Sequence, residues 1–125
     1  EMLSEAENER MHLMFFIEIA KPNIFERFIV LSSQLIFGIF YLFMYVCFTR
    51  TAHRMIGYFE DEAVNSYTEY LDMVKSGKVE DTPAPALAIS YYKLPTDAKL
   101  SDVIRCVRAD EQHHSKTNHE YANNL

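Results

Sequence analysis

The sequence predicts an all-α fold, a bundle of four long helices, and three observations carry that prediction. Apolar side chains recur at helical spacing through most of the 125 residues. Only 3 Gly and 4 Pro interrupt them. A 49% hydrophobic and 14% aromatic composition supplies enough apolar surface for one core, in a chain of single-domain length. This balance excludes a disordered chain, a collagen-like repeat and a Gly-rich β fold.

Helix one is expected at about 3–20, from the spacing of Ala6, Leu13, Phe16, Ile17 and Ala20, and stops at Lys21-Pro22-Asn23. Helix two is expected at 24–49. No charged residue occurs between Phe28 and Phe48, a stretch of roughly 31 Å as helix, close to the hydrocarbon thickness of a bilayer. Helix three runs amphipathically over 52–74 until Lys75-Ser76-Gly77-Lys78 ends it. A polar connector follows, carrying Pro83, Pro85 and the pair Tyr91-Tyr92; it is long enough to imply packing or function rather than slack linker. Thr96 is placed to cap the last helix, at 97–122, whose apolar stripe is Leu100, Val103, Ile104 and Val107.

Charge and cysteine usage narrow the function. The net charge is −6 and the basic residues are scattered, so no electrostatic footprint for nucleic acid is present. Cys47 and Cys106 lie far apart and outside any CxxC pattern. That predicts neither a disulfide scaffold nor a thiolate zinc site, but two small buried apolar residues. The chain opens Glu1-Met2-Leu3-Ser4-Glu5 in helix-forming composition, and is expected to be part of a longer protein.

Acids on the apolar stripes carry the chemistry. Glu9 and His12 lie at i and i+3 on the inner face of helix one, and Glu111 and His114 repeat the pattern on the last helix, continuing toward Asn118. On helix three the stripe His53, Ile56, Glu60, Ala63, Tyr67, Leu71, Val74 selects Glu60 as the inward acid and leaves Asp61 and Glu62 off its centre line. Glu60 lies 51 positions from both Glu9 and Glu111, room in each case for a helix, a connection and a return to the same level. Buried carboxylates need a partner, a proton or a cation. Several carboxylates with imidazoles suit iron or manganese. In ferritin-like di-iron carboxylate bundles two helices each give one Glu and two give Glu-x-x-His, so one single-Glu helix is expected to precede Glu1. A lone Glu-x-x-His is more often a surface pair; two on apolar stripes, with an inward Glu midway, favour metal. His113, His119 and Glu120 are expected at the surface.

The apolar helix and the acids constrain each other. A helix two that crossed a bilayer would put Glu9 and Glu60 on opposite sides, unable to share a metal. A monotopic arrangement reconciles them, the helix covering the bundle with one face and meeting lipid with the other. Arg27, Arg50 and Arg54 flank it, where their stems can be buried while the guanidinium groups reach phosphate headgroups.

The string Ala6-Glu7-Asn8-Glu9-Arg10-Met11-His12-Leu13 resembles the NERMHL signature of the alternative oxidases. Gly57-Tyr58-Phe59-Glu60-Asp61-Glu62-Ala63 resembles their LEEEA box, Pro83-Ala84-Pro85-Ala86 their PAPA turn, and Arg108-Ala109-Asp110-Glu111-Gln112-His113-His114 their RADEAHH box. The motifs occur in the family's order and spacing, essentially end to end, and fit the mitochondrial type better than the plastid quinol oxidases. The resemblance implies a carboxylate-bridged centre of two Fe ions held by Glu9, Glu60 and Glu111, with His12 and His114 ligating or hydrogen-bonded beside them. It implies that Asn8 and Asp110 orient those ligands. It also implies that Tyr67 is redox-active, and that His53, Phe59, Glu62, Ala63 and Ser66 surround the quinol pocket or its hydrogen-bond network. The implied reaction oxidises two ubiquinols and reduces O2 to two waters without proton pumping, on the matrix face of the mitochondrial inner membrane, in a monotopic homodimer. Phe59 and Asp61 in the LEEEA box, Tyr92 for the usual Trp and Gln112 in the RADEA box depart from the family pattern, and none removes a ligand. The family's first ligand Glu is not in the chain, so these residues alone are expected to be inactive. Two other readings stand beside this one: a di-iron carboxylate protein of another reaction type, and a metal-free structural helical membrane protein.

Overall fold

A computed structural model describes residues 2–125. Its helices are α1 (Met2–Ala20), α2 (Ile24–Cys47), α3 (Thr49–Lys75), α4 (Ala86–Tyr92) and α5 (Leu100–Asn124). Among the described residues there is no strand, only an isolated antiparallel bridge between Pro83 and Lys99. The expected all-α bundle is therefore present, with a short fifth helix inside the connector.

Each boundary has a local cause. Lys21 takes a left-handed conformation at φ 48°, and with Pro22 behind it α1 cannot continue. Asn23 caps α2 by accepting the Glu26 backbone N–H at 2.8 Å. One residue, Phe48, separates α2 from α3. Ring contacts of Tyr45 with His53 and of Phe37 with Phe59, at 5.5 and 5.8 Å between centroids, show that the two helices form an antiparallel hairpin. α3 ends where Gly77 reaches φ 83°, a value at which a Cβ would be strained.

The start of the last helix corrects the expectation for Thr96. Residues 95–98 make a turn closed by the Ala98 N–H on the Pro95 carbonyl, and the bridge then binds Ala84 to Ala98 and Leu100 to Thr82. The helix therefore begins at Leu100, its first turn held by side chains: Asp102 accepts the Lys99 N–H, and Asp81 accepts both the N–H and the hydroxyl of Ser101 at 2.8 Å each. α4 fits between the proline pair and a left-handed Lys93 at φ 56°.

α3 and α5 form the most extensive helix contact, with α2 against α3 and α1 reaching α5. Two apolar clusters fill the bundle. Met11, Phe15, Ala84, Ala88, Ala98, Val103 and Val107 make one, and Leu71, Val74, Leu100 and Ile104 the other. On α1 the buried stripe is Met11, His12 and Phe15; Phe16 and Ile17 are only half-buried and Ala6 and Ala20 are exposed, because the connector, through Tyr91 and Tyr92, packs on Phe15. The buried-cysteine expectation fails for Cys47, which is exposed, and Cys106 is only partly covered. No α2 residue is buried, which is why Cys47 at its end finds no core.

Candidate metal centre

Three helices bring the singled-out acids to one level. Glu9 from α1, Glu60 from α3 and Glu111 and His114 from α5 each offer a ligand atom, and these atoms all lie within 4.8 Å of one another. Glu111 and His114 are 4% exposed and the Glu60 side chain 12%, whereas Glu9 is nearly half open to solvent. The His114 ring carries its Nδ1 2.8 Å from Glu9 Oε1 and 3.4 Å from Glu60 Oε2. The other imidazole faces both ways. His12 Nδ1 lies 2.9 Å from Glu111 Oε1, and its Nε2 lies 2.9 Å from Asp110 Oδ2. His12 is thus adjacent to the four converging donors but outside their group.

Asp110 anchors this outer layer. Its Oδ2 accepts from Asn8 Nδ2 at 3.1 Å and from the Tyr92 hydroxyl at 2.6 Å as well as from His12. Asn8 also donates to the Tyr91 hydroxyl. A cleft of about 330 Å³ reaches the centre, lined by Glu9, Phe37, Ile56, Phe59, Glu60, Ala63, Tyr67 and Glu111. Of the residues implied around the quinol, Phe59 and Ala63 line this wall with Tyr67. Glu62 and Ser66 are exposed, and His53 is buried away from the cleft, its Nδ1 3.0 Å from Asn118 Oδ1.

A model of the family described as Alternative oxidase matches residues 1–123. The chain belongs to the alternative oxidase family. It is 52% identical over 118 residues to "Ubiquinol oxidase 2, mitochondrial" of Glycine max, covering 94% of this chain and 35% of the relative. It is 53% identical over the same length to "Ubiquinol oxidase 1b, mitochondrial" of Oryza sativa subsp. japonica, with the same coverage. To "Ubiquinol oxidase 1c, mitochondrial" of Arabidopsis thaliana it is 52% identical over 124 residues, 99% of this chain and 37% of the relative. The chain thus spans about a third of the length of the curated relatives it matches.

The residues of this alternative oxidase chain suit a metal. Glu60 Oε2 is buried without a hydrogen-bond partner, and an acceptor left so is costly unless a cation or donor completes it. Carboxylate oxygens with an imidazole are the donor set that hard and borderline divalent ions take. Without metal, protons hold the cluster together. Burial works against charge on His12, but its hydrogen bonds to Asp110, Glu111 and Glu9 prevail and push its pKa up to about 11. His114 goes up to about 10, its burial outweighed by Glu60 and Glu9. Burial, aided by the neighbouring Glu60 and Glu9 carboxyls, lifts Glu111 to about 9. Burial pushes Glu9 the same way, but hydrogen bonds with His114 and His12 overcome it and hold Glu9 well below the usual carboxylate range. The Tyr67 phenol is pushed well up by burial and by the charges of Glu111, Glu9 and Glu60.

Several participants escaped the sequence reading. His119, expected at the surface, is instead inserted between helices: its Nδ1 meets Arg54 Nη1 at 2.7 Å and its Nε2 meets Asp61 Oδ2 at 3.1 Å. Arg54, expected to reach lipid headgroups, is drawn back onto α5 by His119 and Asn123. Asp61 also bonds Ser115. The aromatic pair Tyr91-Tyr92 was visible as a feature of the connector, but its hydrogen bonds with Asn8 and His12 of α1 and Asp110 of α5 have no local signal.

Proposed function

We propose that the whole protein is a mitochondrial ubiquinol oxidase, a quinol:oxygen oxidoreductase that reduces O2 to water at a two-iron carboxylate centre and pumps no protons. The meeting of Glu9, Glu60, Glu111 and His114 from three helices, in a chain of this family, carries the reading. Relatives named as mitochondrial ubiquinol oxidases support the substrate and the compartment. Glu9, Glu60, Glu111 and His114 are the residues proposed to hold iron, with His12 bridging Glu111 to Asp110. Centres of this type use four carboxylates and two Glu-x-x-His motifs; a further Glu from outside these 125 residues completes the set, and these residues alone are proposed not to turn over. Bound iron would supply the electron exchange with O2.

The protein's own groups prepare that chemistry. Asp110, accepting from Asn8, His12 and Tyr92, fixes the His12 ring so that Nδ1 faces Glu111. Phe37, Phe59 and Ala63 make an apolar wall suited to a quinol ring beside Glu60, and Tyr67 closes the same cleft. The redox role proposed for Tyr67 comes from the family resemblance, and its place in that wall is compatible with it. His53, Glu62 and Ser66 remain proposed members of the wider quinol region, through the resemblance alone.

The exposure of α2 supports membrane attachment through that helix. The helix is 24 residues long, apolar enough to cross a bilayer, and none of its residues is buried. Its antiparallel hairpin with α3 argues against crossing, since α3 would carry Glu60, Asp61 and Glu62 into lipid beside it. A helix lying in the interface, flanked by the exposed Arg27 and Arg50, gives a lipid-soluble quinol a short route to the cleft. The matrix face of the inner membrane and a homodimeric state follow the family the sequence resembles.

The test is oxygen uptake by membranes carrying the full-length protein, with ubiquinol as reductant and cyanide present. Uptake that disappears in Glu111→Ala supports the reading. No uptake from a folded, iron-loaded protein would leave a di-iron protein of another reaction, and a protein that binds no iron would leave a structural membrane protein.

A further inference from the structure

Two buried polar atoms near the centre lack what each other offers. The Tyr41 hydroxyl is sealed from solvent with no hydrogen bond, and so is Glu60 Oε2, whose nearest donor, His114 Nδ1, stands 3.4 Å away. Among the described residues the one other such side-chain atom is Asn8 Oδ1, which belongs to the Tyr91 and Asp110 side of the centre. Tyr41 stands on α2, where every residue but Ser32, Tyr41 and Met44 is exposed. A hydroxyl hidden on so open a helix marks the place where α2 meets the metal-bearing helices.

Ring packing brackets that place. Tyr41 stacks on Phe37 with centroids 6.3 Å apart and planes 12° from parallel. Phe37 lines the cleft and packs on Phe59, next to Glu60 in sequence. On its other side Tyr41 meets Tyr45, which packs on His53. His53 in turn bonds Asn118, and Asn118 donates to Glu5. The phenol therefore lies between the cleft wall and the His53–Asn118–Glu5 chain. Burial first, then nearby Tyr45, Glu5 and Glu60, raises its pKa and keeps it a donor. Glu5 Oε1 already accepts from Asn118, whereas Glu60 Oε2 makes no hydrogen bond and faces only the His114 Nδ1, at 3.4 Å.

We propose that Tyr41 is a positioning residue of the metal centre, donating its hydroxyl hydrogen to the Glu60 carboxylate when that carboxylate turns to hold metal. The inference rests on Glu60 being a metal ligand, as proposed above. A carboxylate that gives a lone pair to a cation retains others for a donor, and a donor there fixes its rotation and binding mode. The phenol is held in place by its stack on Phe37 and its tilted contact with Tyr45.

Anaerobic Fe(II) titration of the full-length protein against a coloured chelator tests this, comparing wild type with Tyr41→Phe, which keeps the stacked ring and loses only the hydroxyl. The expected result is affinity weakened about 10–100-fold, with thermal unfolding of the metal-free protein unchanged. Iron loading should also perturb the tyrosine near-ultraviolet band more in the wild type than in the variant, where Tyr67 of the same cleft alone remains to respond, and a purely structural role for the Tyr41 ring would not produce that difference. Equal affinities would overturn this inference and leave the metal reading standing. A wild type that binds no Fe(II) would overturn both. If Tyr41→Phe fails to fold, the wild-type band decides: its absence on iron loading overturns the inference.

Discussion

Gly57 opens the Gly-Tyr-Phe-Glu segment of α3, and a Cβ built there would stand 2.7 Å from the His119 ring. The ring has little room to retreat, because Arg54 and Asp61 engage its two nitrogens and Tyr58 packs on it with centroids 5.1 Å apart. Gly57→Ala should therefore destabilise the fold by about 1–3 kcal/mol through overpacking, read as a lower midpoint in chemical unfolding. The double variant Gly57→Ala/His119→Ala should recover part of that loss, since the clash is with the ring. Glu9, Glu60, Glu111 and His114 were legible in the sequence because each sits on an apolar stripe, where an acid must be explained. His119 was not, since its neighbours Glu120 and Lys116 give it a surface context and its partners come from α3, 58 and 65 positions away. Tyr41 was hidden for the opposite reason: in an apolar helix an added tyrosine reads as one more aromatic.

Among the elements, the positions of α1, α2, α3 and α5 follow the apolar periodicity to within a turn, although the face α1 buries is Met11, His12 and Phe15 rather than the expected stripe, while the connector departs from it. Seven residues of α4 between a proline pair and a left-handed lysine are too few for a periodic signal. The bridge that delays α5 to Leu100 depends on pairing between Thr82–Ala84 and Ala98–Leu100, which no local pattern announces. Asp81 is the residue that ties the connector to the helix. Its carboxylate satisfies the Ser101 N–H, one of the donors an α-helix leaves open at its start, and the Ser101 hydroxyl. Asp81→Ala should cost about 1–2 kcal/mol and raise amide hydrogen exchange in the first turn of α5. Unchanged exchange there would show that Asp102 alone secures the turn. For α2 the expectation concerns location rather than stability. Leu35 and Ile39 are each more than 60% exposed, so Leu35→Asp/Ile39→Asp should move the protein from the membrane to the soluble fraction on cell breakage. Its thermal midpoint should be preserved, because neither side chain supports the core.

For the molecule as a whole, the metal-free state and the metal-loaded state should answer pH in opposite directions. In the metal-free cluster His12 and His114 bind protons more tightly when folded, at about 11 and about 10, than an unfolded histidine does near 6.5. Their contribution to stability is then complete below the unfolded value and is lost as pH climbs through the folded ones. Glu111, lifted to about 9, has the same sign, its contribution declining from the ordinary carboxylate range upward. Glu9, held low, has the reverse sign, and its contribution is lost in acid as pH falls through its depressed folded value. Metal-free protein should therefore be most stable in mildly acidic buffer and its melting temperature should fall steadily between about pH 6.5 and 10. Metal changes the balance because ligands must shed their protons to bind it, so affinity rises with pH over the range where the free protein weakens. Calorimetric melting of the full-length protein across that range, with and without Fe(II), is the decisive comparison. Stabilisation by iron that grows as pH rises would show that the protons on Glu111 and His114 stand where iron belongs. A stabilisation independent of pH would mean that iron binds elsewhere, and the four donors that meet between α1, α3 and α5 would be a proton-held ion-pair network rather than a metal centre.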